Sequence, residues 1–140
     1  MINHITTTWL GGMKFESTNP SGNKLYIEAT PENGEQAEGY RPKALMLSAL
    51  AGCSGLDVAS LIKKMKLDVD DFKIEIDADL TEEDPKYYHK VGVHFHFSGS
   101  DLNEKKLQRA VDLSVEKYCG VMEMFRQFSE LNVETHFHKK

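Results

Sequence analysis

The chain of 140 residues carries 17 basic against 22 acidic side chains, a formal net charge of −5, with 40% hydrophobic and 28% charged residues. This length suits one domain over residues 1–140 whose core needs no disulfide support, and the balance excludes a disordered or collagen-like chain. The negative charge argues against nucleic acid as a partner, because such affinity comes from neutralising phosphates.

Ile5–Leu10, Met13–Ser17 and Lys24–Thr30 are short stretches rich in β-branched and aromatic residues. Gly11-Gly12 and Asn19-Pro20-Ser21-Gly22-Asn23 separate them with turn chemistry, which predicts a meander of three antiparallel strands. The polar stretch Pro31–Gly39 reads as an exposed loop. From about Arg41 to Lys66 apolar residues recur at steps of three and four, with Pro42 suited to the first helical turn. Almost no charge falls between Lys43 and Asp57, so this helix is expected at the centre of the core, with Lys63, Lys64 and Lys66 favourable at its negative end. Small residues over Ala51-Gly52-Cys53-Ser54-Gly55 are expected to weaken its middle.

Phe72–Leu80 and Val91–Phe97 alternate apolar and polar residues as half-buried strands, joined by the polar Thr81–Tyr88. Asn103 or Asp101 caps a helix that presents Leu107, Ala110, Val111 and Val115. Tyr118-Cys119-Gly120 interrupts it, a further helical segment runs to about Phe128, and Leu131–His138 returns to strand alternation. The predicted order is β-β-β-α-β-β-α-α-β, an α+β domain with antiparallel sheets around a long central helix.

Two cysteines, Cys53 and Cys119, are too few for a disulfide scaffold and lack the close spacing of a zinc knuckle. The N-terminal residues show no basic and apolar leader, and no uninterrupted apolar run approaches the 18 or so residues of a membrane span. A cytoplasmic location is therefore expected, without a membrane partner.

Cys53 lies among small, uncharged neighbours that leave its sulfur open to another element. It reads either as a buried small hydrophobe or as a reactive thiol, and the second reading needs a nearby cation or donor. Arg41 and Lys43 are the candidate cations, two to three turns back along the helix and so dependent on a fold-back or on a second subunit. Cys119 stands where a helix N-terminus would lower its thiol pKa, or alternatively packs at a corner. His94-Phe95-His96 and His136-Phe137-His138 each place two imidazoles on one strand face. If those strands were neighbours, four histidines would share a surface, enough for zinc or copper; the simpler account leaves them on the wet side of a sheet, with no metal.

The run Arg41-Pro42-Lys43-Ala44-Leu45-Met46-Leu47-Ser48-Ala49-Leu50-Ala51-Gly52-Cys53 resembles the OsmC/Ohr family of organic hydroperoxide reductases, in which a Pro-x-x-Leu helix start leads through small residues to a reactive cysteine. Tyr118-Cys119-Gly120-Val121 resembles that family's second cysteine motif, usually Cys-Pro-[Val/Ile]. The resemblance implies an intertwined homodimer in which Cys53 is peroxidatic and Cys119 resolving, acting on organic hydroperoxides and recycled by a dithiol such as dihydrolipoamide. It implies no metal, haem or flavin cofactor. In the family's peroxidases a glutamate that orients a catalytic arginine usually follows the helix-start proline, and here Lys43 holds that place. The alternative on the same scaffold is a protein that binds a small ligand or a sulfur species, with a redox-active pair and little peroxidase turnover.

Overall fold

The computed structural model describes residues 1–30 and 36–140. The loop expected over Pro31–Gly39 therefore lies partly outside the described residues. Two compact units divide the chain, Met1–Met46 and Leu47–Lys140.

In the first unit β1 (Thr6–Trp9), β2 (Lys14–Thr18) and β3 (Lys24–Glu28) form an antiparallel sheet in the order β1-β2-β3. Gly11 and Gly12, with φ of 96° and 56°, take the left-handed backbone that closes the first hairpin. Trp9 pairs with Phe15, and Phe15 with Ile27. Among the described residues of this unit none is buried, and Trp9 remains 64% exposed. Lys14 reaches Glu38 at 2.6 Å.

The helix α1 (Pro42–Lys64) starts in the first unit and runs through the second without a break at Ala51–Gly55. Its end is a reciprocal pair of hydrogen bonds, Lys66 N to Lys63 O at 3.2 Å and Leu67 N to Ile62 O at 2.9 Å, closed by Lys66 at a φ of 55°. Leu50, Ser54 and Val58, spaced by four, are its buried residues. Contrary to the run-length argument, α1 is long and apolar enough to cross a membrane by length and composition; here its buried stripe joins the core of the second unit.

That core is built on β4 (Asp71–Leu80), β5 (Tyr88–Gly99) and β6 (Glu130–Lys139), in the order β4-β5-β6. Alternation along β5 buries Val91, Val93, Phe95 and Phe97 on one face. Fully burying each such side chain contributes about 1.5–3 kcal/mol. Phe72 stacks on Phe97 at 4.8 Å between ring centroids. The helix α2 (Glu104–Leu113) covers this face with Leu107, Ala110 and Val111, and Asn103 Oδ1 caps it by accepting from Lys106 N at 3.1 Å. A π-helical turn, Ser114–Tyr118, leads to the short helix α3 (Gly120–Arg126), which adds Met122 and Phe125 and ends two residues earlier than expected.

The element order is the predicted α+β one. The expectation of antiparallel sheets holds for β4 with β5, but β6 lies parallel to β5. Side-chain alternation has the same period in both arrangements, so it does not encode direction. The crossover through α2 and α3 supplies the long connection that a parallel neighbour requires.

Candidate functional site

Cys53 lies midway along α1, half-buried, one residue before the buried Ser54. A side chain added at Gly52 would meet no atom within 4 Å, so the neighbouring backbone is bordered by open space. Cys119 is 4% exposed and caps α3, where Sγ accepts from Met122 N at 3.3 Å. Its own amide donates to Ser114 O at 2.8 Å, closing the π-helical turn behind it. Such turns hold a helix at an irregular offset and recur at functional sites. The Arg126 guanidinium braces this corner, donating to Val115 O and pairing with Glu123.

The two thiols, 66 residues apart in sequence, are brought together, close enough for the Cys53 group to act on that of Cys119. The helix-terminus argument alone predicts a lowered Cys119 pKa. Instead burial drives it up to about 11; the Met122 amide opposes that shift, while Cys53 and the carboxylate of Asp57 add to it. Desolvation outweighs the donor because the sulfur at this corner is enclosed by the core.

Polar residues next to the thiols escaped the sequence reading. Ser54 and Ser114, both fully buried, approach at 2.9 Å between hydroxyls, and Ser114 Oγ also stands 3.1 Å from Asp57 Oδ2. A consistent assignment has Ser54 donating to Ser114 and Ser114 donating to the carboxylate. Asp57 follows Cys53 by four residues, so both lie on the same side of α1. That spacing was the available signal; the partner Ser114 was not readable, since only the fold brings it to α1.

The candidate cations lie in the first unit. Arg41 precedes α1 and Lys43 occupies its first turn, both exposed, about three turns before Cys53 along the chain. Lys14, on β2, has its pKa raised by its hydrogen bond to Glu38. On the outer face of the second sheet the condition set for the paired histidines is met. β5 and β6 are neighbours, and His94 Nδ1 lies 3.1 Å from His136 Nε2 and His96 Nδ1 2.9 Å from His138 Nε2.

Comparison with known proteins identifies the family. Residues 34–134 match the family model described as OsmC-like protein. Protein YhfA of Escherichia coli strain K12 is 34% identical over 119 residues, covering 85% of this chain and 86% of that protein. A hypothetical protein from Aquifex aeolicus VF5 superposes with a TM-score of 0.81 at 27% identity, over 100% of this chain and 97% of the other. The organic hydroperoxide resistance protein OhrB of Bacillus subtilis shares the fold, with a TM-score of 0.65 at 20% identity and coverage of 96% and 98%. With cysteines on the central helix and at the second helical junction, and with a family match over most of its length, the chain belongs to the OsmC-like protein family.

Proposed function

We propose that the protein reduces organic hydroperoxides through Cys53 and Cys119 at the interface of an intertwined homodimer in the cytoplasm. The observation that carries this reading is the convergence of an accessible and an enclosed thiol at one point. A peroxide reaches Cys53 first. Its thiolate attacks the O–O bond, keeps the terminal OH as a sulfenic acid and expels the alkoxide, which takes up a proton and leaves as the alcohol. Cys119 then displaces that oxygen as water, forming the disulfide. An external dithiol restores both thiols and leaves oxidised, so two electrons pass from dithiol to peroxide in each cycle.

Support for the homodimer comes from uncovered apolar surface. The first unit carries exposed Trp9, Met13 and Phe15, and Leu56 on α1 is 75% exposed. Solvated apolar area of this kind marks an association surface. On this reading Arg41 or Lys43 of the partner subunit supplies the cation that holds the Cys53 thiolate. A lysine there acts as a point charge and not as a bidentate clamp.

Stoichiometric cumene hydroperoxide added to reduced protein, followed by intact-mass analysis, tests the proposal. The expected product has lost two hydrogens, with Cys53 bonded to Cys119 in the peptide map, and Cys53→Ser abolishes peroxide consumption. Unchanged thiols would refute the peroxidase reading. The alternative, a binder of a small ligand or sulfur species with little turnover, is favoured by one specific feature: Asp57 and burial both oppose a thiolate at Cys119. It predicts ligand capture at Cys53, or transfer of a sulfane sulfur to it from a persulfide donor that leaves as its thiol, without catalytic peroxide loss.

A further inference from the structure

We propose that His94, Glu134 and His136 form a binding site for a divalent late transition-metal ion, zinc(II) by preference, on the outer face of the second sheet. The backbone assembles the three donors. His94 and Glu134 are directly paired between β5 and β6, and His136 is the next residue of β6 on the same face. Nδ1 of His94 lies 3.1 Å from Nε2 of His136 and 3.2 Å from Oε2 of Glu134, and the last two atoms are 3.5 Å apart. Ligands held about 2.0–2.1 Å from a tetrahedral zinc stand roughly 3.3–3.4 Å from one another. The three separations bracket that value, so an ion enters with shifts of a few tenths of an ångström. Two imidazoles and one carboxylate are a donor set that zinc accepts, and a fourth position stays open to water.

The surroundings orient the donors. Asp77 Oδ2 on β4 lies 3.6 Å from Nε2 of His94, on the side of the ring away from the proposed ion, a nearby carboxylate without a formed hydrogen bond. The rings of His94 and His96 both pack against that of His136, at 5.3 and 4.7 Å between centroids. His96 is held in turn by Glu75 Oε1, 2.9 Å from its Nε2. A solvated histidine face needs none of this convergence.

Titration of the reduced, untagged full chain with zinc(II) alone, by calorimetry, tests the site. The expected result is one saturable zinc(II) per chain, weakened at least about 100-fold in His94→Gln/His136→Gln and at least about tenfold in Glu134→Gln. Cobalt(II) separates this site from the thiols: tetrahedral nitrogen and oxygen ligation gives visible ligand-field bands without intense thiolate charge transfer. Far-UV circular dichroism confirms that the variants are folded, and the cobalt spectrum of the unmodified chain stands without them. Lack of saturable binding, unchanged affinity in the folded double variant, or a thiolate charge-transfer band would overturn the site.

Discussion

Both units of this chain build a three-stranded sheet, yet only one of them acquires a core. In β4–β6 the strands run 10–12 residues, and β5 buries every second side chain against α1, α2 and α3. In β1–β3 they run 4–5 residues, and among the described residues no side chain is buried, although Trp9, Phe15 and Ile27 line up across the strands. Short strands without a covering layer do not hold together alone in water. The difference teaches that a complete pattern within a sheet is insufficient: the second unit carries its own cover, and the first requires one from elsewhere, which the proposed homodimer provides.

The largest effect tests that contrast directly. Phe95→Ala, at the centre of the covered sheet, is expected to cost about 3–5 kcal/mol in urea unfolding at any protein concentration. Phe15→Ala in the uncovered sheet is expected to lower the melting temperature most at low protein concentration, because its loss acts through association. A concentration-independent penalty for Phe15→Ala would break the comparison.

The pH dependence of the second unit comes next. Cys119 has a raised pKa in the folded state, so folding favours its protonated form. The stability it contributes is complete below about pH 9 and is lost as pH rises towards 11, by on the order of 2–3 kcal/mol. Urea midpoints of reduced protein should fall across that window, and Cys119→Ala should flatten the fall. An identical slope in the variant would remove Cys119 as its source.

Smaller effects mark helix ends of the second unit. Asn103→Ala removes the cap of α2 and is expected to cost about 1 kcal/mol by thermal unfolding. At the end of α1, Lys66→Gly relieves a left-handed residue and is expected to gain up to about 1 kcal/mol, since glycine adopts that backbone freely. A lower melting temperature for Lys66→Gly would show that the lysine side chain contributes more than its backbone strain costs.

Much of the fold was legible because local physics dictates it. Pro42, the apolar spacing of α1, the Asn103 cap and the alternation of β4 and β5 each act within a few residues, and each led to the element observed. The Cys119 junction was readable as a helix start, but its consequence was not. The terminus argues for a lowered thiol pKa, and only the enclosed position reverses the sign. Ser114 gave no local cue at all, because its hydroxyl acquires meaning from Ser54 and Asp57 some 60 residues away.

By itself the sequence determined which segments become helix or strand, which face of each is apolar, and that two cysteines and two histidine pairs occupy comparable local settings. Tertiary structure decided what those residues meet. The parallel placement of β6 sets His136 beside His94, and the crossover helices carry Cys119 to Cys53. The physical reason is range: propensity, capping and periodicity act over one or two turns, whereas strand direction and the approach of distant side chains are fixed only when the chain closes around its core.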